Sequence, residues 1–289
     1  MANQLSVLQP GSIAEATRLL ADLDDDARVV AGSTAITLLL RQRLIAPRWL
    51  VSLGAIAGLD SISIEDGWLR IGALVRHRDV ELSPVVRTGW RVLAEAFGSV
   101  ANVRIRNAAT VGGVLAEADY ASDPPAVFVA LDAEVHLAGP AGTRTVTAHD
   151  FFQGFYATAL AADEIVTAVR VPPAPAGAVY EKYRSRSSED RPCVGVAAVA
   201  QLAQDRSTCH DLRVVVGAAS DKPERVSAAE SLGRGQFLTE EVAAAIADAY
   251  AAHVDTLSDL RGSSWYRTEM IRVWVRRGIL HAVQRARAE

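Results

Sequence analysis

Asn107–Pro125 reads NAATVGGVLAEADYASDPP. A Thr110-Val111-Gly112-Gly113 run is followed ten residues later by an acidic Asp123-Pro124-Pro125 turn. Glycines lack Cβ, so the chain here can take φ > 0 and bring its amides against a ligand. Successive amides in such a turn form a concave nest for an anion. Upstream, Val29–Ile36 reads VVAGSTAI. Its apolar start runs into Gly32-Ser33-Thr34, and an apolar helical pattern begins at Ala35. Two such turns can grip one extended diphosphate from two sides. Each is also an ordinary strand-to-turn junction, so the rest of the chain has to decide.

The chain has 289 residues, half of them hydrophobic, and a net charge of −4. That is enough apolar material for a sizeable core without staples, and the charge argues against a nucleic-acid partner. None of His77, His136, His149, His210, His253 and His281 has metal-ligand spacing with another. Cys193 and Cys209 are too few for an iron–sulfur cluster, which needs about four thiolates, and they suggest a reducing compartment. The start, MANQLSVLQPGSIAEA, has neither the basic region nor the apolar run of a signal peptide. No window approaches the roughly 18 apolar residues of a membrane span. The expectation is a soluble, cytoplasmic protein with no membrane span.

Helix and strand alternate over the first fifty residues, which indicates an α/β unit. Ser12 with Glu15 forms a capping box for a helix over Ile13–Leu23. Strands are expected at Arg28–Ala31 and Trp49–Leu53, with a helix over Ala35–Arg43 between them. Further along, a strand Leu69–Ile71 follows the Asp66-Gly67 turn. Helices Val75–Leu82, Val86–Phe97 and Pro124–Leu131 come next, with strands Ala133–Ala138, Arg144–Thr147 and Glu164–Val171. The Pro172-Pro173 segment is the clearest boundary. Beyond it, strands Ala178–Ser185, Gly195–Leu202 and Leu212–Gly217 suggest an antiparallel sheet. Helices Glu240–Val254 and Tyr266–Ala288 close an α+β domain. The last carries Met270, Ile271, Val273, Trp274, Ile279 and Leu280 as an apolar stripe.

Neither glycine turn is a Rossmann GxGxxG fingerprint, and no P-loop, HExxH or GxSxG run exists. Six segments taken together nevertheless resemble the FAD-binding middle subunit of the molybdenum hydroxylases, the family of carbon monoxide dehydrogenase flavoprotein subunits and xanthine dehydrogenase flavin domains. VVAGSTAI is similar to its first flavin loop, with Ser33 in place of the second small residue. RNAATVGGVLAEADYASDPP is similar to its second, Thr-Ile-Gly-Gly followed by Ser-Pro-x-x-Asp. ADEIVTAVRVP at 162–172, EKYRSRSSEDRP at 181–192, VVVGAASDKPER at 214–225 and DLRGSSWYR at 259–267 continue the likeness.

The resemblance implies an α+β protein. Two α/β subdomains, about 1–55 and 56–173, would clasp FAD in a PCMH-type FAD-binding fold. A C-terminal antiparallel sheet with helices, like that of the CO dehydrogenase flavoproteins, would occupy 178–289. It implies that Val29, Val30, Ala31, Gly32, Ser33, Thr34, Ala35 and Ile36 hold the diphosphate through their amides. Ala109, Thr110, Gly112 and Gly113 would meet it from the other side. Val100 and Ala101 would lie near the adenine or the flavin edge, and Asp123 would bind polar groups of the cofactor. Val166 would pack on a ring, and Lys182 would approach the isoalloxazine. Arg191 falls near the position that covers the flavin N5. No His or Cys lies in either loop, so the FAD is expected to be non-covalent. The 2Fe–2S clusters and the molybdenum cofactor would sit on partner chains, an iron–sulfur small subunit and a large subunit, assembled as a dimer of heterotrimers.

Other readings of the same residues stay open. Asp123 can cap the helix that begins at Pro124. Ser33 and Thr34 can be helix caps, and Lys182 can belong to a solvated face. Trp49, Trp68, Trp90, Trp265 and Trp274 suit a core or an interface. Trp265 and Tyr266 would either anchor a partner subunit or cap the core. A stand-alone FAD oxidoreductase would need His77 or Tyr120 as its base. A third possibility is a flavin-free assembly subunit.

Overall fold

The structure, a computed structural model, describes residues 5–288. Met1–Gln4 and Glu289, the outer edges of the two expected domains and the first residues of the segment tested as a signal peptide, lie outside it. Chain order builds the first lobe from β1 (Ser6–Leu8), α1 (Ile13–Leu23), β2 (Ala27–Val30), α2 (Ile36–Arg41) and β3 (Trp49–Ser52). Its strands form a parallel sheet in the order β1-β3-β2. The Ser12 hydroxyl accepts the Glu15 amide at 3.2 Å, while the Glu15 carboxylate accepts the amide of Gly11 at 2.9 Å. The capping box therefore closes one residue earlier than its usual form. Ala16, Leu20, Ala27 and Val51 make a small core that also takes in Ala138 and Ile165 of the next lobe.

The second lobe opens with the hairpin β4 (Ile62–Glu65) and β5 (Trp68–Gly72). Six short helices follow: α3 (His77–Leu82), α4 (Pro84–Gly89), α5 (Arg91–Gly98), α6 (Val103–Arg106), α7 (Val111–Glu117) and α8 (Pro124–Ala130). After them come β6 (Glu134–Gly139), β7 (Gly142–Thr147), α9 (Ala148–Phe151), the small pair β8 (Phe152–Gly154) and β9 (Ala157–Thr158), and β10 (Ile165–Val171). The sheet β4-β5-β10-β6-β7 is antiparallel throughout. The helix expected over Val86–Phe97 is broken into α4 and α5 at Trp90 (φ −139°, ψ 49°). The Trp90 indole N–H donates to the Pro172 carbonyl at 2.7 Å, so a distant partner fixes the break.

The third part has β11 (Gly177–Tyr183), β12 (Val194–Leu202), β13 (Cys209–Gly217), β14 (Glu224–Arg225), α10 (Ser227–Glu230), α11 (Glu240–His253) and α12 (Ser264–Ala288). The antiparallel sheet β11-β12-β13-β14 sorts its side chains by the two-residue period of a strand. Val194, Val196, Ala198, Val214 and Val216 face a core shared with α11 and α12. Ala197, Val199 and Val215 join the core of the second lobe, where all seven residues of α8 are buried. The C-terminal sheet is therefore covered on both faces. Ile271 and Ile279 of the expected stripe are buried along with Val275, Ala282 and Val283, while Met270, Trp274 and Leu280 flank them.

Arg267, fully buried on α12, locks this arrangement. Its guanidinium donates to the carbonyls of Cys193 and Ala218 and pairs with Asp259. Against the upward push of burial, the Arg261 amide, Tyr120 and Arg267 hold the Asp259 carboxyl down at about 2. Replacing Arg267 by Met strands the two buried carbonyls and takes from Asp259 one of its two arginine partners. We expect a loss of roughly 3–5 kcal/mol, a drop in Tm of about 10 °C for a chain of this size. A calorimetric scan of Arg267→Met that overlays the parent would refute the lock.

Candidate functional site

β2 delivers the chain into Gly32–Ala35. A Cβ on Gly32 would sit 2.1 Å from the Ala108 carbonyl oxygen, so only glycine allows the first lobe to close on the second here. Ser33 then takes φ +61°. Its hydroxyl turns back to the Ala31 carbonyl at 3.4 Å, and no side chain caps α2, so neither Ser33 nor Thr34 is a helix cap. The amides of Gly32, Ser33, Thr34 and Ala35 donate to no described residue. Four adjacent unspent donors around a left-handed residue make an anion nest. Val29 is exposed, while Val30, Ala31 and Ile36 are half-buried beside it.

The second loop is built differently from the expectation. Gly112 and Gly113 do not take φ > 0. They lie in the first turn of α7, with Thr110 as its N-cap. The Gly112 amide is spent on the Ala73 carbonyl at 2.8 Å, and the Gly113 amide on the Thr110 hydroxyl at 3.2 Å. The Val111 amide is spent on the Val75 carbonyl at 2.9 Å, while the Ala109 carbonyl accepts the His77 amide at 2.9 Å. The run is therefore a pinned helix turn. Gly112 is required because a Cβ would meet the Ala73 Cβ at 2.6 Å. At Gly113 a Cβ would meet only the Thr110 hydroxyl, so this glycine alone leaves an open approach.

A third segment, at Ser99–Asn102, packs beside these. Ala101 takes φ +41°. The carbonyls of Val100 and Ala101 accept Arg106 Nη1 at 2.9 and 3.2 Å, and Arg106 is itself held by Glu81 at 2.8 Å. Against it stands β11. Tyr180 donates to Asp123 Oδ1 at 2.7 Å, and Lys182 Nζ donates to Asp123 Oδ2 and to the Ser99 carbonyl, both at 2.8 Å. Both side chains of the Asp123–Lys182 pair are only 4% exposed. Burial pushes the Asp123 carboxyl up and the Lys182 amine down, and the charge of each partner opposes the shift of the other. Asp123 makes no helix-cap bond. Lys182 is neither on a solvated face nor a lone cation, because Asp123 cancels its charge. Val166 is also placed elsewhere than expected: it is buried in the core of the second lobe and offers a ligand little surface.

The loop after β11 arches across this seam. Asn102 donates to Glu189 at 3.1 Å, and Arg191 pairs with the buried Asp119 at 2.6 Å. Burial and the neighbouring Asp119 push the Glu117 carboxyl up to about 7, with Arg191 opposing. Tyr180, Ser99, Asn102, Arg106 and Asp119 were not singled out from the sequence. Tyr180 had a signal, since it lies two residues before Lys182 on one strand face.

Neither residue named as a base can act as one. The Tyr120 hydroxyl donates to Asp259 at 2.8 Å and accepts Arg261 at 3.1 Å. His77 is 2% exposed beneath the second loop, edge-on to Phe97 at 4.8 Å, and neither ring nitrogen has a hydrogen-bond partner of good geometry. Tyr266 bonds to Tyr183, both packed half-buried against the C-terminal core, whereas Trp265 is 71% exposed.

An unspent amide nest facing a pinned helix turn is the build of a protein that grips an extended anionic ligand. The chain belongs to the molybdopterin dehydrogenase FAD-binding family. Residues 3–174 match the FAD binding domain in molybdopterin dehydrogenase, and residues 178–282 match the CO dehydrogenase flavoprotein C-terminal domain. It is 36% identical over 273 residues to the nicotine 6-hydroxylase medium subunit of Paenarthrobacter nicotinovorans, covering 94% of this chain and 95% of that one. Among solved structures it is similar to carbon monoxide dehydrogenase from Hydrogenophaga pseudoflava (TM-score 0.94, 33% identity, 99% of each chain). It is also similar to quinoline 2-oxidoreductase from Pseudomonas putida 86 (TM-score 0.93, 31% identity, 99% of each chain).

Burial carries the pKa of His77 from 6.5 down to about 4, the Thr110 backbone opposing and the Arg106 charge adding to the shift. Between those values the unfolded chain binds more protons than the folded one. Stability is therefore full above about pH 6.5 and falls as pH drops towards 4, by about 3 kcal/mol in all. We expect His77→Leu to remove most of that acid sensitivity in urea melts. A variant that loses stability with acid as steeply as the parent would assign the effect to other groups.

Proposed function

We propose that this chain is the FAD-carrying electron-transfer subunit of a multi-subunit molybdenum hydroxylase or dehydrogenase. The observation that carries the reading is the row of four unspent amides at Gly32–Ala35, set against the Ala108 carbonyl by a glycine that has no room for a side chain. The donor set suits a diphosphate: adjacent N–H groups and no competing carboxylate among Val29–Ile36. Ser33 and Thr34 would add hydroxyls, and Gly113 would admit the ligand from the facing side. Val100, Ala101, Ala109 and Thr110 would form the neighbouring walls. The FAD-binding unit would run over 1–173 and the C-terminal domain over 178–289.

When bound, FAD supplies a two-electron store that can be emptied to an external acceptor. The chain's own residues position it and shield it. The Asp123–Lys182–Tyr180 group closes one side of the seam, and the 184–191 loop bridges it from Asn102 to Asp119. Among the described residues no group of three or more His, Cys, Asp or Glu could hold a metal ion. In the proposed assembly electrons would arrive from 2Fe–2S clusters on a small subunit. Substrate oxidation would take place at a molybdenum cofactor on a large subunit, within a heterotrimer. No described helix is long and apolar enough to cross a membrane. The proposed setting is cytoplasmic, which suits two cysteines held as free, buried thiols.

The chain should bind FAD one-to-one and release it intact on acid precipitation, since no loop residue offers a covalent link. In Gly32→Ala, FAD affinity should fall at least tenfold, about 1.4 kcal/mol, because the nest must back away from Ala108. A colourless parent protein that takes up no added FAD would overturn the proposal.

A further inference from the structure

Resting on that FAD reading, a second question is which charge acts on the flavin, because Lys182 is cancelled by Asp123 at 2.8 Å. Two other cations of the seam are paired as well. Arg191 pairs with Asp119 at 2.6 Å and Arg106 with Glu81 at 2.8 Å. Arg186 has no described carboxylate partner, but it is exposed and is drawn away to the Leu260 carbonyl. Arg184 differs. It follows Tyr180 and Lys182 at the two-residue period that puts all three on one face, just past the end of β11. It is half-buried, and its guanidinium is held by the Ser188 carbonyl of its own loop at 2.6 Å. No described carboxylate lies within ion-pair distance of it. Its charge still reaches Asp123, Tyr180 and Lys182, so it lies beside the closed end of the seam. The loop that carries it is tied at Asn102 and at Asp119.

We propose that Arg184, and not Lys182, is the cation that stabilises the negative charge added to the flavin on reduction. Two electrons and one proton leave the isoalloxazine one charge more negative, and a protein charge near that ring sets how favourable this is. A half-buried guanidinium without a counter-ion is less screened than a surface cation and is not neutralised like a paired one. Its planar fork, held by Ser188, keeps the charge in place at little entropic cost.

The test uses the FAD-loaded chain and its Arg184→Gln and Arg184→Lys variants. Midpoint potentials are read by equilibration with a reference dye. Affinity is read for sulfite, which adds its lone pair to the oxidised ring and leaves the charge there. Arg184→Gln should keep its FAD, shift the potential to more negative values and bind sulfite at least tenfold more weakly. A tenfold change corresponds to 29.6 mV for a two-electron couple. Arg184→Lys should recover most of both losses. An Arg184→Gln protein with full FAD and unchanged potential and sulfite affinity would overturn the inference. Loss of FAD from Arg184→Gln would overturn it too, making Arg184 a binding group. Absence of FAD from the parent would instead sink the underlying reading.

Discussion

The buried ion pair between Asp123 and Lys182 is the constraint on which the rest of the site depends. Taking each ion out of water costs several kcal/mol, so such a pair holds only where geometry and extra hydrogen bonds compensate. Here Tyr180 and the Ser99 carbonyl supply those bonds. One contact thereby fixes three segments: the end of the second loop, the turn after α5, and β11 of the C-terminal sheet. The wall beside the two glycine turns is made by parts of the chain that share no local structure.

Close backbone approach is the second constraint. Gly32 meets Ala108, and Gly112 meets Ala73, at distances that leave no room for a Cβ. These two glycines shape the seam by contact with protein. Their value lies in bringing the Gly32–Ala35 amides to a position where nothing in the chain uses them. Charge follows the same economy. Lys182, Arg106 and Arg191 are paired off, and Arg184 stands beside Asp123 with no carboxylate of its own.

What could be read from the sequence was what local physics decides. The Ser12 cap and the apolar spacing gave α1 its observed bounds, and the three alternating runs after Pro173 lie where β11, β12 and β13 form. The family was legible because six motifs occur in order. What could not be read depends on distant partners. Trp90 breaks a helix because Pro172 offers a carbonyl 82 residues away. Gly112 and Gly113 sit in a helix turn because Ala73 and Thr110 take their amides. Lys182 reads as a free cation until Asp123, 59 residues earlier, is seen to claim it. The resemblance implied that Val166 packs on a ring, and its burial among the side chains of its own lobe is decided by tertiary packing that a motif does not carry.

The most direct measurement is a double-mutant cycle on Asp123→Asn and Lys182→Met, read by urea unfolding at neutral pH. If the pair is what joins the second loop to the C-terminal sheet, Lys182→Met alone should cost roughly 3–5 kcal/mol, because it strands a buried carboxylate. The double variant should then be more stable than that single variant, with a coupling above about 1.5 kcal/mol. Additivity of the two substitutions within about 0.5 kcal/mol would contradict the account and leave the seam held together by apolar packing alone.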